Sequence, residues 1–219
     1  MKPHLILAFL ALVLSTLACS LPLGGDPAGT PAPELPSNIL FQDDFSDPSS
    51  GWDSITAPEG ITDYTNGAYR IFVNTLNSDV WANPGLEFSD VRVEVDAAKV
   101  GGDNNNDFGL ICRYLDSENF YFFVISSDGY YGIGKVAAGQ QQLIESPSMP
   151  PSELIRQGTA TNHLRADCIG SKLSLYVNDE FLAQVEDPDF TSGDVGLLAG
   201  SIESPGVDIH FDNFQVLKP

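Results

Sequence analysis

Val91-Arg92-Val93-Glu94-Val95-Asp96 places apolar side chains at every second position and charged ones between them. That period of two describes a strand with one wet face. Short runs of the same kind recur along the chain: ILFQDDF, AYRIFV, DFGLICRY, NFYFFVIS, YGIGKV, QQLIE, HLRADCI, KLSLYV, EFLAQV, DVGLLAG and VDIHFDNFQVL. Between them stand Asn66-Gly67, Asp128-Gly129 and Asn178-Asp179, pairs that tolerate positive φ and close hairpins. Only PPSELIRQG, residues 150–158, reads as a single helical turn. About a dozen short strands at this spacing predict an all-β fold, a two-sheet antiparallel sandwich or a barrel. In the last run alternation slips at Asp212-Asn213, where a bulge is expected.

Four phrases narrow the choice: ILFQDDFSDPSSGW, FGLICRYLDSENFYFFVISSDGYYGIGKV, NHLRADCIGSKLSLYVNDEFLAQV, and the closing GDVGLLAG with VDIHFDNFQVL. In this order they resemble the concanavalin A-like lectin/glucanase superfamily. More narrowly, they are similar to the laminin-G-like and 3-keto-disaccharide-hydrolase-like modules of exported bacterial proteins. The resemblance spans residues 39–217 and implies a jelly roll of two antiparallel sheets, one convex and one concave, with the first and last strands side by side. It is specific for fold and not for activity, because the superfamily hosts lectins, glycosidases and adhesion modules.

In the stretch ENFYFFVIS, Phe120, Phe122 and Val124 face one way, and Tyr121, Phe123 and Ile125 face the other. A strand apolar on both sides is either covered twice or presents a sticky face to a partner. In the implied fold one set joins the core and the other floors a groove, and alternation alone does not say which. A phenol can sit partly wet, so the expected groove set is Tyr121 and Phe123, joined by Tyr131, Trp81 on SDVWANPG and Arg113 on GLICRY. Aromatic faces with planar polar groups are what a carbohydrate or other glycan ligand requires. The acidic loop GGDNNNDF, residues 101–108, is expected at one end of that groove.

The resemblance also implies a structural Ca²⁺ on the convex side, where the first and last strands meet. Calcium takes six to eight oxygen ligands, and the candidates are Asp43, Asp44, Asp47 and Asp212. The same aspartates serve equally well as turn residues. Retaining glycosidases of the superfamily carry Glu, Asp and Glu at alternate strand positions. Here Glu94 and Asp96 match, but Ala98 holds the third place, so these two are expected to be a solvated strand face. No catalytic residues are assigned.

The N-terminus sets the expected location. Lys2, an apolar run from Leu5 to Leu14 and small residues up to Cys19 describe an export signal over residues 1–18. Leu17-Ala18-Cys19 resembles a bacterial lipobox, with Thr16 where leucine is usual. That resemblance implies a lipidated Cys19 and a membrane anchor outside the cytoplasm; ordinary cleavage leaving a free thiol is the alternative. Residues 19–38, with five prolines and three glycines, form the expected extended tether, and residues 39–219 the domain. Two cysteines remain, Cys112 and Cys168. An oxidising location favours a disulfide between them, for which their strands must be neighbours; two buried thiols is the other reading.

The whole chain has 10 basic and 30 acidic side chains, net −20. Removing residues 1–18 removes Lys2 and no acid. So much negative charge excludes nucleic acid and anionic lipid surfaces as partners, since both need positive surface. The resulting expectation is a cell-envelope lipoprotein carrying a non-catalytic glycan-binding module. A glycoside hydrolase of the same fold and an adhesion module are the alternatives.

Overall fold

The computed structural model describes residues 38–219. The expected export signal, Cys19 and all of the tether except Asn38 lie outside the described residues. Fifteen strands follow one another along the described chain. The first five are β1 (Ile39–Asp43), β2 (Ile55–Thr56), β3 (Gly60–Thr65), β4 (Ala68–Val73) and β5 (Ser78–Ala82). Then come β6 (Val91–Gly101), β7 (Asn106–Asp116), β8 (Asn119–Ile125), β9 (Tyr131–Ala137) and β10 (Gln140–Leu143). The last are β11 (Asn162–Ile169), β12 (Lys172–Val177), β13 (Glu180–Glu186), β14 (Asp194–Ser201) and β15 (Val207–Leu217).

They form two sheets in which every pairing is antiparallel. A nine-stranded sheet runs β13-β12-β11-β6-β15-β4-β3-β2, with β1 also paired to β15. A six-stranded sheet runs β10-β9-β8-β7-β14-β5. The first and last strands therefore lie side by side, as the resemblance implied. The hairpin residues behave as read: Asn66, Gly67, Asn178 and Asp179 all have positive φ between neighbouring strands.

The bulge in β15 keeps the apolar side of that strand turned inward along its whole length. Asp212 faces Asp96 and Gln215 faces Glu94, so β15 carries one extra residue, and Asn213 absorbs it at φ 55°. Val207, Ile209 and Phe211 point inward before the bulge, and Phe214 and Val216 after it. Without the extra residue the second half of the strand would turn its apolar side to water.

Three short strands, β2, β3 and β5, join the sheets beyond the runs read from alternation. Residues 150–158 do not make the expected helical turn. Ile155 is pulled into the core, and the Asn162 side chain both accepts from Arg156 N (2.9 Å) and donates to Arg156 O (2.8 Å). A single anchored isoleucine and one bridging amide hold this segment better than one isolated helical turn would.

The core lies between the sheets. Val91, Val93, Val95 and Ala97 of β6 meet Phe108, Leu110 and Cys112 of β7 and Tyr121, Phe123 and Ile125 of β8 in one buried cluster. Cys112 and Cys168 are bonded, with their Cα atoms 6.9 Å apart. Their strands are neighbours across the layers, one in each sheet, rather than side by side in one. The bond thus ties the two layers together through the core.

Replacing both cysteines by alanine removes a cross-link between positions 56 residues apart. The expected loss is about 2–4 kcal/mol of unfolding free energy, read by chemical denaturation. An unchanged midpoint would mean that the layers do not need the link.

Candidate functional site

The outer face of the six-stranded sheet carries a second apolar cluster. Ile111, Phe120, Phe122, Val124, Val136 and Leu198 are all buried there, with Trp81, Tyr114, Leu143 and Met149 packed over them. Glycines on the same face let large side chains lie flat. A methyl on Gly134 would sit 2.2 Å from the Phe122 ring, and one on Gly132 would sit 2.7 Å from Leu143. The aromatic edge is layered: Trp81 and Tyr114 each stack at a tilt against Phe120, with centroids 5.6 and 5.5 Å away. Trp81 Nε1 donates to the Tyr114 hydroxyl at 3.4 Å.

Cover over this face is incomplete. A depression of about 300 Å³ opens between β5 and β10, lined by Asp79, Trp81, Ser117, Phe120, Phe122 and Gln141. Trp81 also borders a second depression of about 280 Å³, shared with Asp53, Glu59 and Tyr114. A third, of about 400 Å³, lies among Asn105, Asn106, Tyr130, Met149 and Ile202. Asn105 and Asn106 belong to the acidic loop expected at one end of the groove. The indole of Trp81 is thus a wall between two concave spaces, with apolar rings, an amide and a carboxylate around it.

Beside that wall is an unusual pair of acids. Gly200 on β14 stands between Asp79 of β5 and Asp107 of β7 in the hydrogen-bonded ladders. A methyl added to Gly200 would lie 2.1 Å from Asp107 Oδ1 and 2.2 Å from Asp79 Oδ1. Both oxygens therefore occupy the space that any side chain at this position would fill. Asp107 Oδ1 is sealed from solvent and has no hydrogen-bond partner. Burial pushes the Asp107 carboxyl well above the usual carboxylate range, and the nearby Asp79 charge pushes the same way. Asp79 is raised as well, chiefly by burial, with the Gln141 side chain opposing the shift.

Of the residues expected in the groove, only Trp81 is there. Tyr121 and Phe123 point the other way, into the core between the sheets, so the expected assignment of the two faces of β8 is reversed. The reason lies in the phenol's partners. Tyr121 OH donates to Asp187 Oδ1 at 2.6 Å and accepts from Phe190 N at 3.0 Å, so its polar tip is satisfied without water. Burial pushes its hydroxyl up to about 12.

Arg113 is also buried. It sits at φ 53° in a bulge of β7, donates to Phe190 O at 2.7 Å and pairs with Asp90 at 3.2 Å. Lys135 closes the same knot on Asp187 and Asp189, at 2.5 Å each. These three side chains fasten the segment between β13 and β14. Tyr131 packs at the edge of the main core and lines a separate hollow with Leu143, Pro150 and Val185.

The four aspartates expected to hold calcium serve their own turns. Asp43 Oδ1 accepts from Phe45 N at 2.7 Å, and its Oδ2 accepts from Ser50 Oγ at 2.5 Å. Asp44 and Asp47 accept the hydroxyls of Ser46 and Ser49, which hold both carboxyls below their usual range. Asp212 accepts from Asn213 N at the bulge. Asp43 and Asp44 border a hollow of about 320 Å³ beside Asn213. Among the described residues no group of three or more His, Cys, Asp or Glu side chains is placed to hold a metal ion.

Glu94 and Asp96 lie on the outer face of the nine-stranded sheet. They are not free carboxylates there. His163 Nδ1 meets Asp96 Oδ1 at 2.8 Å, and Asn213 Nδ2 donates to the other oxygen at 3.0 Å. Arg92 and Arg165 clasp Asp167 beside them, which gives that face a mesh of charges.

No protein-family model matches the sequence, and no curated protein matches it. Among solved structures, the chain is similar to a carbohydrate-binding module, CBM66, from Bacillus subtilis, with TM-score 0.63 and 18% identity, covering 77% of this chain and 96% of that one. The fold is a concanavalin A-like sandwich. A galectin-like-fold protein from Bacillus subtilis matches with TM-score 0.60 and 10% identity over 83% of this chain and 96% of the other. A xylan β-1,4-xylosidase from Bacillus halodurans matches with TM-score 0.57 and 14% identity, over 86% of this chain but 41% of that one.

Tyr121→Phe removes a buried donor to Asp187 and is expected to cost about 1–3 kcal/mol of stability, read by urea denaturation, with no change in any binding at the outer face. The Asp107 pair predicts a pH dependence. Its carboxyl holds a proton in the folded state that the unfolded chain releases above about pH 4. The contribution of this pair to stability is therefore fully present in acid and is lost as pH rises through the raised folded value. Asp107→Asn should flatten that fall in a denaturation series across pH, and an unaltered slope would remove the pair from the account.

Proposed function

We propose that this domain is a non-catalytic glycan-binding module held at the cell envelope by lipid on Cys19. The observation that carries the binding reading is the groove on the outer face of the six-stranded sheet. Trp81 offers an indole face, Phe120 and Phe122 give apolar floor, and Asp79, Ser117 and Gln141 supply polar groups at the rim. The face of a pyranose ring is apolar and packs on aromatic rings, while its hydroxyls take carboxylates and amides. Small-ligand sites are built this way, from apolar walls and a few converging polar groups. The fold shared with a carbohydrate-binding module lends support.

An enzyme reading draws on Asp79 and Asp107, which place two carboxyls beside the groove. Their spacing tells against it. Carboxyls of retaining glycosidases stand about 5–5.5 Å apart and those of inverting enzymes further. Here one oxygen of each carboxyl flanks the small space that a methyl on Gly200 would take, which sets the two closer together than either arrangement requires. The anchor reading rests on the export-signal pattern and the lone thiol at its exit.

Retention of the tether-free domain on insoluble polysaccharides tests the groove. The native domain is expected to be retained by at least one of them, with no reducing ends released. Trp81→Ala should lose that retention at a temperature where the variant is still folded by circular dichroism, its melting temperature being lowered because the indole also covers Phe120. Retention that survives Trp81→Ala would sink the groove, and release of sugar would favour the enzyme. For the anchor, incorporation of a palmitate analogue should disappear in Cys19→Ala.

A further inference from the structure

If the groove takes a glycan, the Asp79–Asp107 pair says more about that ligand than the rings do. Asp79 lines the depression beside Trp81. Asp107 stands behind it across Gly200, with an oxygen that solvent cannot reach and that meets no donor. A buried acceptor without a donor is rare in folded proteins, and two bare carboxylates flanking the same small space over Gly200 would repel. One proton between the two oxygens resolves both difficulties, since it makes one carboxyl the donor that the other lacks. The charge acting on Asp107 is that of Asp79. The Gln141 side chain on β10 approaches Asp79 from the other side, and β14 contributes only Gly200 between them. No cation among these neighbours neutralises the pair.

We propose that Asp79 and Asp107 act together as a singly charged acid pair that makes this groove, read as a glycan site, select uncharged glycans over uronic-acid-bearing ones. Asp79 is the contact residue and accepts a sugar hydroxyl at the groove wall. Asp107 is a positioning residue: its proton bridges to Asp79 and keeps that side chain turned to the groove. The remaining negative charge sits where a ligand carboxylate would have to approach, in a site partly closed to water, where repulsion between like charges is strong. Once the shared proton is lost in alkali, the two carboxylates push apart and the contact is lost with it.

The test compares retention and affinity on neutral probes (insoluble xylan, mannan and β-glucan) with polygalacturonate, at about pH 6 and about pH 9. The expected results are binding of a neutral probe, no binding of polygalacturonate, and at least a roughly tenfold loss of affinity in alkali. Asp79→Asn should weaken neutral binding at both pH values with the melting temperature kept. Asp107→Asn should keep the affinity at the lower pH, because its amide donates as the protonated acid does, and should also keep it in alkali. Asp107→Ala should lose affinity at both.

Polygalacturonate bound as tightly as a neutral polymer, or neutral binding indifferent to Asp79→Asn, overturns the acid pair even if Trp81→Ala still abolishes binding. A native pH profile unchanged by Asp107→Asn overturns it too. A requirement for added Ca²⁺, abolished by chelation, would instead make the two acids metal ligands and equally refute the shared proton. Failure of every polysaccharide to bind removes the groove reading and this inference along with it.

Discussion

The six-stranded sheet is apolar on both faces, and that requirement for double cover organises the molecule. In β8 every residue from Phe120 to Ile125 is buried. Its inward side is met by the nine-stranded sheet, whose β6, β11, β12 and β15 supply valines, leucines and phenylalanines. Its outward side has no third sheet and is covered instead by Trp81, Tyr114, Leu143 and Met149. Burying a large apolar side chain stabilises by roughly 1.5–3 kcal/mol, so leaving the Phe120, Phe122 and Val124 row uncovered would be costly. The cover comes from single side chains rather than a continuous layer. Gaps therefore remain between them, and the concave spaces beside Trp81 are those gaps.

The same constraint accounts for the distribution of polar groups. At one edge of the core, Tyr121, Arg113, Lys135, Asp187 and Phe190 are joined in a single knot of hydrogen bonds and ion pairs. The nine-stranded sheet needs cover on one face only, and its other face carries paired charges, Arg92 and Arg165 on Asp167 and Arg70 on Asp63, with His163 meeting Asp96 at hydrogen-bond distance beside them. The two outer surfaces thus differ in kind. One is a solvated mesh of ions. The other is an aromatic platform with an acid pair set into it, and the crowded position over Gly200 is where the apolar surface gives way to charge.

Residues with clean alternation, such as Val91–Asp96, declared their strand and their wet face directly, and the all-β class was legible from them, while the choice of a two-layer sandwich over a barrel rested on the family resemblance. The bulge at Asp212-Asn213 was legible too, because apolar positions shift from odd to even there and only an extra residue can accommodate that. The strand β5 was not legible as a strand, although Trp81 within it stood out for its ring. The pairing of Asp79 with Asp107 had no signal in the chain: the two sit on strands that never pair with each other, and Gly200 of β14, far along the sequence, brings them together. Glycines at alternate positions, as in Gly132-Ile133-Gly134 and Gly196 to Gly200, were the one available hint that large side chains needed room on that face.

What the sequence determined by itself was local: which segments are extended, which dipeptides turn, and that β8 has two apolar faces. Backbone sterics and the period of two decide these within a few residues. Which face of β8 meets the other sheet, whether Tyr121 is wet or bonded, and whether Cys112 and Cys168 meet within a sheet or between sheets were decided only by the tertiary structure. Each depends on which distant strand lies opposite. Swapping the two apolar faces of a strand leaves its own pattern unchanged, and only the partners Asp187 and Phe190 for the phenol, and Trp81 for Phe120, make the two arrangements unequal in energy.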